Sequence, residues 1–125
     1  MQKGAILVVE DEPVIRDLIE AVLSDAGYCV AGAGNGDEAM LLLDAPAPCL
    51  VGMICDIRLG GGISGWAVAR RARAIMPAVG VVYISGDSQI DWKAHAVPGG
   101  RFLVKPFNGR DVVAMIGAVA SARLN

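Results

Sequence analysis

The chain has 125 residues, a formal net charge of −2 and a hydrophobic content of 54%, which fit one globular domain with a single core. Its apolar runs are far shorter than the ~18 residues that a membrane span needs, and its N-terminus does not resemble a signal peptide. With acidic and basic residues nearly balanced, no general affinity for nucleic acid or membrane surfaces is expected. Cys29, Cys49 and Cys55 are an odd number without metal-like spacing, so we expect reduced, buried thiols and a cytoplasmic location.

Short apolar segments that recur along the chain predict β-strands. They are strand-length and mostly lack polar alternation, which is typical of parallel strands that are covered on both faces. In chain order they comprise residues 5–9, 29–33, 50–55, 79–84 and 101–104.

The segments between the strands have the apolar spacing of helices, and most begin with a residue suited to a helix N-terminus. Those residues are Pro13, Asn35, Ser64 and Asn108. Gly27 follows the first helix, where a left-handed residue would close it. Residues 88–97 also have helical spacing, but Pro98-Gly99-Gly100 cuts the segment short, so we expect a short or irregular fourth helix. The first helix carries an apolar stripe of Val14, Ile15, Leu18, Ile19, Val22 and Leu23.

Polar side chains follow several strands at the point where the strand ends. Strict alternation of strands and helices implies a parallel sheet with right-handed crossovers and helices on both faces, and ligands bind beyond the carboxyl ends of such strands. The residues that we expect at this edge are Glu10 and Asp11 after the first strand, Asp56 after the third, Ser85 after the fourth and Lys105 after the fifth.

This set of side chains suits a divalent cation and a phosphoryl group. Mg²⁺ prefers hard oxygen ligands, usually one or two carboxylates with waters and phosphate oxygens. We expect Asp11 and Asp56 to bind it directly and Glu10 through water, which explains why like charges cluster after a buried strand. Asp56 can then attack phosphorus, while the Ser85 hydroxyl and the Lys105 ammonium stabilise the transferred group.

In this order and at these spacings, the motifs resemble the receiver domain of two-component response regulators along almost the whole chain. The matching features are the Glu10-Asp11 pair, the lone Asp56, Ser85 followed by Gly86, and Lys105-Pro106-Phe107. The similarity is closest to receivers that stand alone or are attached to kinases. It implies one receiver domain over residues 1–125, with a flavodoxin-like, doubly wound (βα)5 fold and a five-stranded parallel sheet in the order 2-1-3-4-5.

The resemblance also implies a function. A histidine kinase or a histidine phosphotransfer protein would donate a phosphoryl group to Asp56, with Mg²⁺ held by Asp11, Asp56 and the backbone carbonyl of Arg58. Such a domain is not an enzyme beyond its self-catalysed phosphorylation and dephosphorylation. It would switch the binding of a downstream protein without contacting nucleic acid or membrane directly, since we expect no output domain after the last helix. The identity of the downstream protein, and whether the domain belongs to a longer chain, stay open.

In the family, phosphorylation draws the hydroxyl of the fourth strand toward the phosphoryl group and lets an aromatic residue of the fifth strand turn inward. The corresponding residues here are Ser85 and Phe102, and because Phe102 has no hydroxyl to satisfy, we expect it to be partly buried without phosphate. The Lys105–Pro106 bond is expected to be cis. Arg58 and Asp87 are expected to flank the pocket, either as an ion pair that limits the access of water or as two independent solvated charges.

A second class of function stays open from the sequence: a receiver-like module that is never phosphorylated and only docks a partner. Its usual sign is loss of an acid or of the lysine, and neither is lost here. A flavodoxin-like FMN carrier is disfavoured because the acids that follow the first strand would repel a phosphate in the absence of a metal. A phosphatase of the haloacid dehalogenase kind needs two aspartates at alternate positions, which Asp11-Glu12-Pro13 does not provide.

Overall fold

The computed structural model describes residues 3–45, 49–87 and 89–124, over which strands and helices alternate strictly. The strands are β1 (Ala5–Val9), β2 (Cys29–Ala33), β3 (Leu50–Asp56), β4 (Gly80–Ser85) and β5 (Arg101–Val104). The helices are α1 (Pro13–Asp25), α2 (Gly36–Asp44), α3 (Gly65–Ile75), α4 (Trp92–His95) and α5 (Gly109–Leu124). The predicted alternation is confirmed, including a short fourth helix of 4 residues. No helix in these ranges combines the length and apolarity needed to cross a bilayer.

The strands form one parallel sheet in the order β2-β1-β3-β4-β5, as predicted. The register pairs Val9 with Cys55 and Ser85 with Val104, and Asp56 ends β3 beside Ile84 of β4. The carboxyl ends of β1, β3, β4 and β5 are therefore nearly level. This register brings the residues at those ends, and the residues that follow them, to one edge of the sheet.

Both faces of the sheet are covered, which makes the fold doubly wound. Alternate residues of β3 face opposite sides: Met53 and Cys55 pack with α2 and α3, whereas Ile54 packs with α1 and α5. The central strands β1, β3 and β4 are buried over most or all of their length, as their unbroken apolar runs predicted. Burial of one large aliphatic side chain contributes about 1.5–3 kcal/mol, so these two core layers are the main source of stability.

The helix termini follow the capping residues that the sequence predicts. Pro13 opens α1, and Gly27 beyond its end has φ of +102°, which suits a left-handed closing residue. The side-chain oxygens of Asn35 and Ser64 accept hydrogen bonds from backbone N–H groups three residues on, at 2.8 and 3.2 Å. Asn108 does the same before α5 at 2.9 Å. Local sequence therefore sets the starts of these helices.

Predictions for the periphery are wrong in three places. β2 and β5 are edge strands and are not covered on both faces: β2 is largely exposed, and no residue of β5 is fully buried. Cys29 and Cys49 are exposed, whereas Cys55 is buried as expected. On α1, Val14 is 81% exposed and Leu18 is 43% exposed, because the part of the helix that faces the sheet is narrower than its apolar stripe.

The start of α3 passes close to the end of β3, and Gly65 makes this approach possible. A Cβ atom at Gly65 would collide with the carbonyl oxygen of Asp56, whereas one at Gly61 would meet no atom within 4 Å. Gly65→Ala is therefore expected to lower the free energy of unfolding by about 1–3 kcal/mol, the usual cost of overpacking, while Gly61→Ala serves as the control and changes it little. Urea unfolding followed by circular dichroism measures both, and equal stabilities would contradict this account.

Candidate functional site

The buried polar side chains among the described residues lie together at the carboxyl edge of the sheet. Glu10 is fully buried, Asp56 is 5% exposed and Ser85 is 3% exposed. Lys105 reaches the same place from the end of β5, and Asp11 lies beside Glu10 with an exposed side chain. The fold thus brings the residues that the sequence placed at the strand ends to one site.

The carboxylates at this edge are close enough to share a cation. One oxygen from each of Glu10, Asp11 and Asp56 lies within 4.8 Å of the others. This set of hard oxygen donors, with Asp11 open to solvent, fits the preference of Mg²⁺ for a few protein ligands and several waters. The backbone carbonyl of Arg58 as a further ligand stays a prediction.

The ammonium of Lys105 lies between two of these carboxylates. Its Nζ is 2.7 Å from Glu10 Oε1 and 2.8 Å from Asp56 Oδ2, and it is 3.9 Å from the exposed Glu12. Burial disfavours the ammonium, but hydrogen bonds to Asp56 and Glu10 outweigh this effect and raise the pKa of Lys105. Burial, with the hydrogen bond to Asp56, raises the pKa of Glu10 to about 8 despite the opposing effect of Lys105. Lys105 is therefore held charged, whereas Glu10 takes up a proton more readily than a free carboxyl.

A cleft of about 570 Å³ opens above Asp56. Its rim includes Gly60 from the loop after β3, together with Arg58 and Asp87. The side chains of Arg58 and Asp87 pair at 3.5 Å and are 74% and 43% exposed. Of the two predicted alternatives, an ion pair or two independent charges, the structure shows the ion pair. That this pair limits the access of water to Asp56 stays a prediction.

Backbone hydrogen bonds fix the groups that face the cleft. The N–H of Arg58 donates to Asp56 Oδ1 at 3.0 Å, and the N–H of Asp87 donates to Ser85 Oγ at 3.0 Å. The N–H of Lys105 donates to the carbonyl of Ser85 at 2.8 Å, which connects the start of the loop after β5 to the end of β4. The loops after three strands thus hold the carboxylate, the hydroxyl and the ammonium in place.

Sequence and fold both match those of known proteins. Residues 6–117 match the family model of the response regulator receiver domain. The chain belongs to this family. A response regulator receiver protein from Sinorhizobium medicae is 34% identical to this receiver, with a TM-score of 0.90 and 96% of each chain covered.

Longer relatives contain a region that matches this receiver. The nitrogen assimilation regulatory protein NtrX of Azorhizobium caulinodans is 36% identical over 95% of this chain, which spans 27% of that protein. The DNA-binding transcriptional regulator NtrC of Salmonella typhimurium is 30% identical over 93% of this chain, which spans 24% of it. The match therefore covers a minor part of each of these proteins.

The predicted switch residues of this receiver have distinct environments. Ser85 is buried at the end of β4, whereas Phe102 of β5 is half-buried, as expected, and its ring stacks on Trp92. The Lys105–Pro106 bond is cis, as expected. Cys55 faces the core layer beneath α3, and burial raises the pKa of its thiol, so it takes no part in the site.

Sequence reasoning missed one residue that supports the acid cluster. Arg16 of α1 donates from Nη1 to the backbone carbonyl of Glu10 at 3.0 Å. This contact holds the turn between β1 and α1, on which Glu10 and Asp11 lie. A basic residue one turn into a helix that directly follows an acid cluster is the signal that points to such a contact.

The buried carboxyl of Glu10 should weaken the metal-free receiver as the pH rises. Its ordinary pKa of 4.5 is raised to about 8 in the folded receiver, so the folded state binds the proton more tightly and stability is lost between these values. Glu10→Gln is therefore expected to raise the free energy of unfolding at neutral pH by about 1–3 kcal/mol, since one pKa unit corresponds to about 1.4 kcal/mol. Urea unfolding with EDTA measures this, with the exposed Glu12→Gln as control; an equal gain in both variants would contradict it.

Proposed function

We propose that residues 1–125 are a single receiver domain that accepts a phosphoryl group on Asp56 from a histidine kinase or a histidine phosphotransfer protein, in a Mg²⁺-dependent reaction in the cytoplasm. The observation that carries the proposal is the position of Asp56. It ends the central strand β3 beneath a cleft, within a group of carboxylates and 2.8 Å from Lys105 Nζ. The match to the receiver family supports the same role.

The transfer forms one bond and breaks another. A carboxylate oxygen of Asp56 bonds to phosphorus while the bond from phosphorus to the donor's histidine nitrogen breaks, and its electron pair stays on that nitrogen. Mg²⁺ bound by Asp11, Asp56 and the Arg58 carbonyl, with Glu10 acting through water, would neutralise the phosphoryl oxygens. Lys105 supplies a fixed positive charge beside the reacting carboxylate. The Ser85 hydroxyl accepts from the N–H of Asp87 and still has its own proton to donate to a transferred oxygen.

The receiver acts as a reversible switch in this proposal. Water attacks phosphorus, the bond to the Asp56 oxygen breaks, and the free carboxylate returns without any other catalytic protein. While the phosphoryl group is present, Ser85 moves toward it and Phe102 turns inward, which changes the surface that a downstream protein binds. No direct contact with nucleic acid or membrane is part of the proposal.

Acetyl phosphate with Mg²⁺ tests the phosphoacceptor directly. The wild-type protein is expected to gain the mass of one phosphoryl group and Asp56→Asn none, because a neutral amide does not attack phosphorus. Asp11→Ala should reduce phosphorylation at limiting Mg²⁺ by more than ~10-fold, since loss of even an outer-shell partner weakens metal binding by that factor. Asp17→Ala, an exposed acid on α1, is the control. Intact-mass spectrometry over a series of Mg²⁺ concentrations gives both results.

Two outcomes of this experiment would contradict the proposal. One is phosphorylation of Asp56→Asn to the wild-type extent, which would move the acceptor to another residue. The other is a wild-type protein that gains no mass from acetyl phosphate or from a phosphorylated histidine phosphotransfer protein. That second result would favour the docking module that is never phosphorylated.

The exposed pair of Arg58 and Asp87 is proposed to limit the approach of hydrolytic water to the phosphoryl group. Arg58→Ala and Asp87→Ala are each expected to accelerate dephosphorylation by about 2–5-fold, because an exposed ion pair is worth only ~0–1 kcal/mol. The control is Arg71→Ala, which removes a comparable exposed pair with Asp44 on α2 and α3. Loss of phosphate is followed by mass spectrometry after the donor is removed. Unchanged rates of dephosphorylation in both variants would refute this role of the Arg58–Asp87 pair.

A further inference from the structure

The peptide group that joins Glu10 to Asp11 is held at both of its polar atoms. Its carbonyl oxygen accepts a hydrogen bond from Arg16 Nη1 at 3.0 Å, and its N–H donates to Glu10 Oε2 at 3.1 Å. The preceding N–H, that of Glu10 itself, donates to the carbonyl of Ala33 at the end of β2, at 3.0 Å. These contacts set the direction in which the Asp11 side chain leaves the turn. Asp11 is the exposed carboxylate of the acid cluster.

Arg16 acts on this turn through a backbone contact and not through an ion pair. It is half-buried, and none of the ion pairs within the described ranges includes it. Its guanidinium is a charged donor, which makes a stronger hydrogen bond to a carbonyl than a neutral donor does. The same positive charge repels a cation bound at the nearby acids. Arg16 therefore favours metal binding only if the geometry that it maintains outweighs this repulsion.

The turn between β2 and α2 leaves open the space beside the Arg16 guanidinium. A Cβ atom at Gly34 would lie 3.0 Å from Arg16 Nη1, which is shorter than an ordinary van der Waals contact. The turn is itself fixed, because the N–H of Gly34 donates to Glu38 Oε2 at 3.0 Å. Gly34 does not have the positive φ angle that favours glycine elsewhere in this chain. A side chain at Gly34 would therefore fit the backbone and push the guanidinium of Arg16 away.

We propose that Arg16 is a positioning residue for the metal ligands, and that the lack of a side chain at Gly34 keeps its guanidinium in place. By fixing the Glu10–Asp11 peptide, Arg16 holds the carboxylate of Asp11 where it can share a cation with the other acids. The turn between β2 and α2 thus supports the site, although it contributes no residue to the lining of the cleft. This inference rests on the proposed function, because it concerns the Mg²⁺ site of that proposal.

Two variants remove this support in different ways. Arg16→Met keeps much of the side-chain length and removes the donor and the charge, whereas Gly34→Ala keeps Arg16 and displaces its guanidinium. Each is expected to weaken Mg²⁺ binding by about 10-fold, the lower end of the loss that follows removal of a group that orients a metal ligand. Repulsion alone predicts the opposite sign for Arg16→Met, since loss of a positive charge would tighten the binding of a cation.

Titration of the metal-free, ¹⁵N-labelled protein with Mg²⁺, followed by its backbone amide NMR signals, measures these affinities without phosphoryl transfer and shows whether each variant is folded. Arg16→Lys keeps a charged donor of similar reach and is expected to recover most of the affinity. Arg110→Ala and Gly61→Ala are the controls, because Arg110 is exposed on α5 and a Cβ atom at Gly61 would meet no atom within 4 Å. The double variant should bind no more weakly than Arg16→Met, since both changes remove the same contact.

Phosphorylation by acetyl phosphate separates positioning of the metal ligands from a general loss of structure. In Arg16→Met and Gly34→Ala, the Mg²⁺ concentration that gives half the maximal rate should rise by about 10-fold. The rate at saturating Mg²⁺ should stay within about 2-fold of the wild type, because a weakened binding step is restored by excess ligand.

The outcomes separate this inference from the function on which it rests. Wild-type or tighter Mg²⁺ affinity in Arg16→Met would overturn the role of Arg16, and wild-type affinity in Gly34→Ala would overturn that of Gly34. A rate that is reduced equally at limiting and at saturating Mg²⁺ would overturn both. If Arg16→Met does not fold, the comparison of Gly34→Ala with Gly61→Ala decides the matter. A wild-type protein that binds no Mg²⁺ would overturn the Mg²⁺ dependence of the proposed function, and this inference with it.

Discussion

The contact of Lys105 with two buried carboxylates is the interaction on which the carboxyl edge of the sheet depends. Its Nζ lies 2.7 Å from Glu10 and 2.8 Å from Asp56, both of which are buried. Like charges buried side by side destabilise a fold unless an opposite charge lies between them. Because the lysine comes from β5 and the acids from β1 and β3, the order and the register of the strands are tied to this balance. A shift of β5 by one residue would turn its side chains to the other face of the sheet.

The single positive charge of Lys105 does not offset all the carboxylates at this edge. The remaining negative charge affects both the stability of the fold and the function of the site. One ammonium faces three carboxylates, so the edge keeps an excess of negative charge. Burial is the main cause of the raised pKa of Glu10 and the neighbouring Asp56 adds to it, so protonation of Glu10 is one way to relieve that excess. A bound cation is another way, and it acts without removing the charge that Asp56 uses as a nucleophile. Residues that would make the edge more stable in isolation would therefore make it a poorer site for a cation and a phosphoryl group.

Much of the fold could be predicted from local sequence, because strand-length apolar runs and capping residues act over a few residues. Asn35, Ser64 and Asn108 start helices as predicted, and each polar site residue follows an apolar run directly. The exposure of β2 could not be predicted in this way, since an apolar run does not show whether its strand lies at the edge of a sheet. The exposed thiol of Cys29 has the same cause.

The sequence predicts which residues form the candidate site, but it does not predict which of their atoms are in contact. The level ends of the parallel strands brought Asp56, Ser85 and Lys105 together, but which oxygen faces which ammonium depends on side-chain packing. The stack of Trp92 on Phe102 joins the short fourth helix to the last strand, two elements that the sequence predicts without predicting their contact. Such a contact depends on how the chain returns across the sheet, which no local pattern encodes.

The loop after β3 gives one wall of the cleft an unusual chemical character. Gly60, Gly61 and Gly62 are all exposed, and a Cβ atom added to any of them would meet no atom within 4 Å. A donor protein that passes Gly60, Gly61 and Gly62 on its way to Asp56 meets only peptide groups there, and the side chain that this loop places at the cleft is that of Arg58. These glycines leave room for donors of many shapes and provide no side chain that could recognise a particular donor. Discrimination between cognate and foreign donors must therefore come from side chains elsewhere around the cleft and on the helices beside it.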